Sequence, residues 1–239
     1  MIIRNLFRRI VYGPKADSKS YIEHLRRIGV KIGSDCTIYV PTKTLIDEQY
    51  PWLISIGDHV RITEGVKILT HDYSWSVLKK YRGGVFGASG CVDIGNNVFI
   101  GMNSIISKGV RIGDNVIIGT GSIVTRDCEE KSIYAGVPAK KIMSLDQFFE
   151  KRADAQIEEA KTLAVKYFEK FGKKPEKEVF HEYFMLFSDS QAIRDNKVFS
   201  DKIYLCGNKE QSLDYVTVHG PVFQDFEEFM RYCFDEDKK

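Results

Sequence analysis

A repeat of six residues is the feature that most constrains what this chain can fold into. From Ile94 the chain reads IGNNVFIGMNSI, and from Ile112 it reads IGDNVIIGTGSI, with eight of these twelve positions identical. Aliphatic residues therefore recur every six positions, at Ile94, Ile100, Ile106, Ile112, Ile118 and Val124. A helix of 3.6 residues per turn cannot keep this period on one face, whereas short strands can, because their side chains alternate and six is even. The middle of the chain is therefore predicted to consist of stacked short strands.

Weaker hexads precede this run and extend the same architecture upstream. One triplet starts at Ile56, Ile62 and Ile68, and another at Ile32, Ile38 and Thr44, with an insertion at 50–55. Three hexads make one coil of a three-sided parallel β-helix, so the chain from about 32 to about 126 predicts at least four coils. The first and fifth residues of a hexad, such as Ile112 and Val116, should point inward. Cys36 falls on an inward position, which predicts a core residue rather than a nucleophile.

The N-terminal residues predict two short helices. In residues 1–11 the apolar side chains have helical spacing, with arginines on the opposite face. This helix either packs on the body of the protein or makes weak contact with an anionic membrane surface. Basic residues interrupt the apolar stretch and no small-residue cleavage site follows, which argues against a secretion signal. A second helix is expected at about 19–28, capped by Asp17 or Ser18 and ended by Gly29.

The last third of the chain is charged and aromatic instead of rich in glycine. Ser144 is predicted to cap a helix that opens at Leu145 and ends at Gly172. We therefore predict an N-terminal helical segment (1–31), a hexapeptide-repeat β-helix domain (32–143) with an inserted loop at 72–93, and a mainly helical C-terminal extension (144–239). The extension is expected to cap or brace the assembly, because the open end of a β-helix exposes strand edges. A docking module is the alternative.

Composition excludes several classes of protein. The 239 residues carry a net charge of only +2, so there is no basic footprint over the whole chain, and no nucleic-acid partner is expected. No apolar run approaches the roughly 18 residues of a membrane-spanning helix. The five cysteines are few and scattered, which indicates reduced thiols and predicts a cytoplasmic location.

Two further stretches add a family resemblance to the hexads. The run IGDNVIIGTGSIVTRD, followed by AGVPAKKI, resembles the C-terminal end of galactoside, maltose and polysaccharide O-acetyltransferases. The stretch ILTHDYSW is similar to O-acetyltransferases of surface-polysaccharide synthesis. The chain thus resembles the hexapeptide-repeat acyltransferases over roughly residues 20–150. The resemblance implies a left-handed parallel β-helix, a homotrimer with its sites between subunits, acetyl-CoA as co-substrate and no required metal. This handedness is opposite to the usual crossover rule.

His71 is the candidate catalytic base. It occupies the family's catalytic position, and the unperturbed pKa of histidine suits proton transfer near neutral pH. His71 is the fourth residue of the hexad that starts at Ile68, and Gly109 is its equivalent one coil later, where the missing side chain leaves space. One coil earlier the equivalent is Asp47, which should stack directly under His71 and orient the imidazole. Asp72 should point the other way.

The resemblance also implies a binding slot for coenzyme A. The backbone around four residues corresponds to the walls of the pantetheine slot: Gly101, Met102, Thr120 and Gly121. Four further residues match the family's phosphate-binding positions or lie beside them: Thr125, Arg126, Lys140 and Lys141. Charge-assisted hydrogen bonds from such residues suit a 3′-phosphate or pyrophosphate.

The acceptor site is expected near the inserted loop. Tyr73 and Trp75 lie there among basic residues, and their rings could stack on a sugar or merely tighten a trimer. Glu64 is a candidate acceptor contact, although the sugar acetyltransferases often show Pro-Asn at that point. Phe99 stands where they commonly carry Trp. Both departures put the small-sugar substrates of those relatives in doubt.

The function favoured by these observations is acetyl-CoA-dependent O-acetylation of a sugar hydroxyl on a surface polysaccharide or its precursor. One alternative is N-acetylation of a nucleotide-linked amino sugar, but such enzymes often carry an N-terminal nucleotide-binding domain and only about thirty residues precede the repeat. A zinc enzyme like the β-helix carbonic anhydrases needs three histidines, and only His59 and His71 lie in the repeat. A non-catalytic trimeric scaffold is the last alternative, against which the intact His71 and Gly109 argue.

Overall fold

A computed structural model describes residues 8–234. The chain divides into two compact units, residues 1–148 and 149–239. The first is a prism of very short strands and the second is helical. The strands are β1 (Lys31–Ile32), β2 (Thr37–Ile38), β3 (Leu45–Ile46), β4 (Ile54–Ile56), β5 (Arg61–Ile62), β6 (Lys67–Ile68), β7 (His71–Asp72), β8 (Ala88–Ser89), β9 (Val92–Ile94), β10 (Phe99–Ile100), β11 (Ile105–Ile106), β12 (Val110–Ile112), β13 (Val116–Ile118), β14 (Ile123–Val124), β15 (Ser132–Ala135) and β16 (Lys140–Ser144).

Parallel pairing joins these strands into the three faces of a β-helix. One face is β1-β4-β9-β12, the second is β2-β5-β10-β13-β15 with β16 added antiparallel, and the third is β3-β6-β11-β14. Each face takes one strand from each coil, so the predicted parallel β-helix of at least four coils is confirmed.

The hexad residues stack in columns inside the prism. Ile100 pairs with Ile62 below and Ile118 above, and Ile112 pairs with Ile94. These side chains are buried, as are the inward residues at the fifth hexad position, such as Val116. Burying one such side chain contributes about 1.5–3 kcal/mol. The repeat therefore forms the core of this unit, and chemistry must come from its outward corners. Cys36 is half-buried against this core and is a packing residue.

The register of the first coil corrects one expectation. Ile68 pairs with Ile46, and Thr44 is not the hexad start that the sequence pattern predicts. A 3-10 turn at Pro41–Lys43 precedes β3 and shifts its register by two residues. Thr44 is nevertheless buried. A polar residue can be buried here because its hydroxyl donates to the Tyr39 carbonyl. The two-residue shift changes where Asp47 lies relative to the next coil.

The inserted loop is an ordered excursion from the prism. Strand β7 leaves the repeat and pairs antiparallel with β8, so His71 lies opposite Ser89. Between them, helix α2 (Trp75–Arg82) ends at Gly83, whose φ of 78° is the left-handed conformation that glycine adopts without strain. The parallel ladder resumes at Val92, which pairs with Val110, so the excursion ends at residue 91 instead of 93.

The N-terminal helix predicted at about 19–28 is confirmed. Helix α1 spans Ser18–Ile28, the carboxylate of Asp17 accepts from the amide of Ser20, and Gly29 ends the helix at a φ of 116°. Residues 8–12 are also helical, and Ile10 there is exposed. The rest of the amphipathic helix predicted at 1–11 lies outside the described residues.

The second unit has an aromatic core. Its helices are α3 (Leu145–Phe171, which begins at the end of the first unit), α4 (Ser190–Asp195), α5 (Lys197–Tyr204), α6 (Lys209–His219) and α7 (Phe226–Phe234). Ser144 and Gln147 form a reciprocal capping box at the start of α3, as the sequence predicts for Ser144. Phe180 and Phe229 are fully buried and meet edge to face. Within residues 8–234 no helix combines the length and apolarity needed to cross a bilayer.

Candidate active site

His71 lies where the chain leaves the prism. Its position on β7 follows directly from the end of the hexad at Ile68, and the hairpin with β8 holds its backbone. The imidazole is 28% exposed, and its Nδ1 lies 2.5 Å from Oδ2 of Asp47. The structure thus brings together the two residues that the sequence singles out as base and orienting group.

Asp47 reaches His71 in a different way from the predicted stacking. Because Ile46 pairs with Ile68 and the amide of Asp47 donates to the Ile68 carbonyl, Asp47 lies at the level of Leu69 and not of His71. The side chain of Asp47 is 7% exposed, and its carboxylate bridges to the residues that follow β6. The pairing of the residues was predicted correctly, but the register argument behind it was wrong.

Neutral donors surround the Asp47 carboxylate. Oδ2 accepts from the amide of Thr70 at 3.0 Å and from its hydroxyl at 2.5 Å, and Oδ1 accepts from the amide of Gln49 at 2.9 Å. Burial by itself raises the pKa of Asp47, but the hydrogen bonds from Thr70, Gln49 and His71 outweigh it and hold that pKa below its usual value. Asp47 is therefore a carboxylate at neutral pH and can only accept hydrogen bonds.

This arrangement selects the tautomer of His71. A carboxylate cannot donate, so the proton of a neutral imidazole must lie on Nδ1, where Asp47 accepts it. The lone pair is then on Nε2, and no residue in the described part of the chain donates to it. An oriented imidazole that is partly exposed and whose Nε2 accepts from no described residue can take a proton from a bound hydroxyl or amine.

Sequence reasoning missed two aromatic residues, of which Tyr50 contacts His71 and Trp52 contacts Tyr50. The ring of Tyr50 meets the imidazole edge to face, with centroids 5.3 Å apart, and Trp52 meets Tyr50 at 5.7 Å. The Trp52 side chain is 65% exposed. Both belong to the insertion at 50–55 that interrupts the hexads. The sequence signal that could have identified them is the presence of aromatic residues in an insertion immediately before a strand.

The neighbouring Asp72 does not contact the base. Its carboxylate pairs with Lys108, which joins the root of the excursion to the turn before Gly109. The hydrogen bonds from Lys108 and Ser74 hold the pKa of Asp72 well below its usual value. Asp72 therefore anchors the loop, which agrees with the expectation that it points away from His71.

The other residues predicted to lie near the acceptor do not form one cluster with His71. Tyr73 and Trp75 contact each other at 4.5 Å at the start of the excursion, and Tyr73 is exposed. Gly109 has a φ of 77°, and among the described residues no atom lies within 4 Å of where a Cβ atom would be. Glu64 is occupied by an ion pair with Lys43 at 2.5 Å. Space is thus open at residue 109.

The residues predicted to line the coenzyme A slot lie on neighbouring coils. The amide of Gly101 donates to the Ile118 carbonyl, and the amide of Gly121 donates to the Met102 carbonyl at 2.7 Å. A Cβ atom at residue 101 would lie 2.5 Å from the amide nitrogen of Thr120, so the close stacking of these two turns requires glycine there. The structure brings these four residues together on one corner of the prism.

The predicted phosphate-binding residues differ in their availability. Thr125 and Arg126 are exposed after β14, and Lys140 is exposed on β16. Lys141 forms an ion pair with Glu129 at 2.7 Å, which offsets its charge. Within residues 8–234, Arg126 and Lys140 have no carboxylate partner, so they are the cations of this set that remain for an anion.

No metal centre accompanies this site in the described residues. No group of three or more His, Cys, Asp or Glu side chains there is placed to hold an ion. His59, the other histidine of the repeat, lies on a surface turn with Asp35.

Comparisons with known proteins agree with the repeat. The model for the bacterial transferase hexapeptide (six repeats) matches residues 92–126. Protein CapG of Staphylococcus aureus is 48% identical over 127 residues, which are 53% of this chain and 72% of CapG. Among solved structures, a maltose O-acetyltransferase from Clostridium difficile 630 is 27% identical over 53% of this chain and 75% of its own, with a TM-score of 0.43. A galactoside acetyltransferase in complex with coenzyme A is 26% identical over 53% of this chain and 70% of its own, with a TM-score of 0.42.

Proposed function

The chain belongs to the bacterial hexapeptide-repeat transferases, and on that premise we propose that it is an acetyl-CoA-dependent O-acetyltransferase that modifies a sugar hydroxyl of a surface polysaccharide or its precursor. The predicted family is confirmed, and so is the predicted fold class, a left-handed parallel β-helix with a helical C-terminal extension. The acceptor, the base and the site residues are the proposed part.

His71 is the general base of the proposed reaction. Its Nε2 takes the proton of the acceptor hydroxyl as the oxygen attacks the thioester carbon of acetyl-CoA. The new C–O bond forms, the C–S bond breaks, and the imidazolium returns the proton to the departing sulfur, so that coenzyme A leaves as a thiol. Asp47 holds the imidazole through Nδ1 and offsets its positive charge while the proton is on the ring.

One observation supports this assignment above the others. Asp47 is an almost fully buried carboxylate that three neutral donors and one imidazole contact, at the point where the repeat is interrupted. Burying a charge is costly unless it is fully hydrogen-bonded, and such sites are enriched at functional centres. The stack of hexads does not need this carboxylate, because mainly aliphatic side chains fill the prism and the other buried polar side chains there are uncharged hydroxyls.

The proposed donor site runs along the corner formed by Gly101, Met102, Thr120 and Gly121. The close turns there leave backbone along which the pantetheine arm can lie. Arg126 and Lys140 bind the phosphates of coenzyme A, and Thr125 adds a hydroxyl. Lys141 takes part only if it leaves Glu129. The sequence resemblance to galactoside and maltose O-acetyltransferases supports acetyl-CoA as the donor.

The proposed acceptor site lies around the free Nε2 of His71. Tyr50 borders the imidazole and Trp52 contacts Tyr50, so the exposed indole of Trp52 offers a face on which a sugar ring can stack. Tyr73 and Trp75 form a second aromatic pair at the start of the excursion. Glu64 contributes only if its ion pair with Lys43 opens.

A homotrimer is part of the proposal. Several large apolar side chains on the outer faces of the prism are exposed in the single chain: Tyr39, Val40, Leu45, Phe99 and Met102. Covering them against a second copy would remove apolar surface from water. Light scattering coupled to size-exclusion chromatography tests this, and a monomer at micromolar concentration contradicts it. A cytoplasmic location, where acetyl-CoA is available, completes the proposal.

The reaction is tested by incubating the protein with acetyl-CoA and a panel of sugars, amino sugars and nucleotide sugars. Release of the coenzyme A thiol is followed, and the products are identified by mass spectrometry and fragmentation. An ester on a hydroxyl supports the proposal. An amide on an amino sugar supports the N-acetyltransferase alternative, and failure to bind coenzyme A at all supports the non-catalytic scaffold.

A further inference from the structure

The second unit contains a groove that acetyl transfer does not use. It has a volume of about 550 Å3, within the roughly 300–1,000 Å3 typical of ligand sites. Helix α3 lines it with Phe149, Arg152 and Gln156, helix α6 lines it with Gln211 and Tyr215, and the segment at 182–185 completes the wall. All of these residues belong to the second unit.

The charges in this groove are already neutralised. The guanidinium of Arg152 makes a bidentate ion pair with Glu159, with Nη1–Oε1 at 2.7 Å and Nη2–Oε2 at 2.5 Å. Glu182 pairs with Lys202 at 2.6 Å. These contacts lower the pKa of both carboxyls, so both pairs stay ionised at neutral pH. A groove without an unpaired charge does not select an anionic ligand or a metal cation.

Neutral polar groups are available instead. The side chains of Gln156, Asn208, Gln211 and Ser212 line the groove, and within the described part of the chain none of them makes a side-chain hydrogen bond. Three carboxamides and a hydroxyl offer both donors and acceptors. They complement a ligand that presents several hydroxyl groups.

Aromatic side chains border the same space. Phe149 is 54% exposed and Tyr215 is 39% exposed, and their rings meet edge to face at 6.1 Å. His219 stacks on the Tyr215 ring at 4.1 Å and so orients it. Packing does not account for these two rings, because neither belongs to the aromatic core of this unit. Exposed aromatic surface next to uncommitted polar groups is typical of a binding site.

We propose that this groove of the C-terminal unit binds a neutral saccharide. The apolar C–H face of a sugar ring stacks on Phe149 and Tyr215, while its hydroxyls hydrogen-bond to Gln156 and Gln211. The site is a binding site and not a catalytic one, and it does not depend on acetyl transfer. In a glycan-modifying enzyme it would hold sugar units beyond the one that reacts.

The test is saturation-transfer NMR on the full chain with maltotetraose and with the tetrasaccharide of N-acetylglucosamine, without acetyl-CoA. We expect at least one of these saccharides to bind. The substitutions Tyr215→Ala and Gln211→Ala should each weaken binding by about three- to tenfold, as expected for the loss of one ring contact or one hydrogen bond. Tyr204→Ala is the matched control, because Tyr204 is an exposed aromatic residue of the same unit outside the groove.

Absence of binding by both tetrasaccharides at millimolar concentration overturns the proposal. So does equal binding by the Tyr215→Ala and Tyr204→Ala proteins, since the groove would then not be the site. Circular dichroism identifies variants that fail to fold, and Gln211→Ala, which changes an exposed residue, keeps the test informative if Tyr215→Ala is unstable. Saccharide binding is measured without acetyl-CoA and acetyl transfer as release of thiol, so failure of this site is distinguishable from failure of the proposed reaction.

Discussion

Two histidine–aspartate pairs lie on the prism, and they differ in surroundings rather than in spacing. His71 follows Asp47 by 24 residues, and His59 follows Asp35 by 24 residues. Nδ1 contacts the carboxylate in both, at 2.5 Å and 2.7 Å. Asp47 is 7% exposed and Asp35 is 48% exposed. The same residue types at the same separation thus occur once in a nearly buried position and once in water.

The groups around each carboxylate differ as well. Asp35 binds the guanidinium of Arg61 at 2.8 Å, so a full positive charge offsets it before any proton reaches His59. Neutral donors, the Thr70 hydroxyl and two amides, hold Asp47 and leave its negative charge to face the imidazole. An electrostatic interaction is also stronger where water is excluded. Burial and uncharged partners, and not spacing, distinguish a candidate catalytic pair from a surface ion pair.

The largest difference in kcat is expected between substitutions of the two histidines, His71 and His59. His71→Ala should lower kcat by about 10²–10⁴, the range that general-base catalysis supplies, because the acceptor proton loses its base. His59→Ala should change kcat less than twofold. The measurement is the initial rate of thiol release from acetyl-CoA with the acceptor found in the sugar panel.

His71→Gln is a second variant, which keeps polar volume in the site if the alanine protein is unstable. Near wild-type turnover in both His71 variants, with their folded assembly intact by chromatography, would end the base assignment.

The next largest difference in kcat is expected between substitutions of the two carboxylates, Asp47 and Asp35. Asp47→Asn should lower kcat by about 10–100-fold, as for other partners that orient a functional histidine, because an amide can donate to Nδ1 and so move the proton to Nε2. Asp35→Asn, at an exposed pair, should change kcat by less than twofold. The two kcat values, measured at saturating acetyl-CoA, decide the comparison. Equal effects of the two substitutions would contradict a special role for the buried pair.

Thr70→Val should reduce stability in a pH-dependent way. It removes the hydroxyl donor to Asp47, and hydrogen bonds to charged groups contribute about 1.5–3 kcal/mol. The pKa of Asp47 is lowered in the folded state, so its contribution to stability is fully present above the unfolded pKa and is lost as pH falls through the folded pKa. The stability deficit of Thr70→Val should therefore be largest at pH 7 and shrink in acid. Urea unfolding at a series of pH values measures it.

Thr63→Val is the matched control for Thr70→Val. The Thr63 hydroxyl donates to the neutral carbonyl of Ile100 at 2.7 Å. The deficit of Thr63→Val should therefore not change across the same pH range. A pH-independent deficit for Thr70→Val as well would show that its bond to Asp47 does not involve the ionised carboxylate.

The smallest expected effect concerns the aromatic border of the His71 pair. Trp52→Ala should raise the acceptor KM by about two- to tenfold with kcat unchanged, since one stacking contact contributes about 0.5–1.5 kcal/mol. Phe171→Ala, an exposed ring at the end of α3, is the control and should leave KM unchanged. A fall in kcat with constant KM for Trp52→Ala would instead indicate that Trp52 acts through the positioning of His71.

Most strands of the prism could be predicted, because aliphatic residues recur every six positions in the sequence. The hexads from Ile94 to Val124 predict which strands share a face of the prism and which coil each strand belongs to. The observed strand pairing follows this period. The first coil was not fully predictable, because the turn at Pro41–Lys43 shifts the register by an amount that composition does not show. In the last third of the chain the cap at Ser144 and the end of its helix at Gly172 were predicted from the sequence. The groove was not, because it depends on how separate helices pack.

The sequence by itself determined the β-helix and its interruption after residue 71, because these depend on local periodicity. The choice of His71 as candidate base came with the family resemblance, and the choice of Asp47 came from a register that the structure corrects. Only the tertiary structure decided how that pair is built. Thr70 contacts Asp47 across 23 residues of sequence, and Tyr50 meets His71 from an insertion with no repeat of its own. The two histidine–aspartate pairs have the same spacing in the sequence. They differ in how far water is excluded from the carboxylate, and this exclusion arises only when the coils stack.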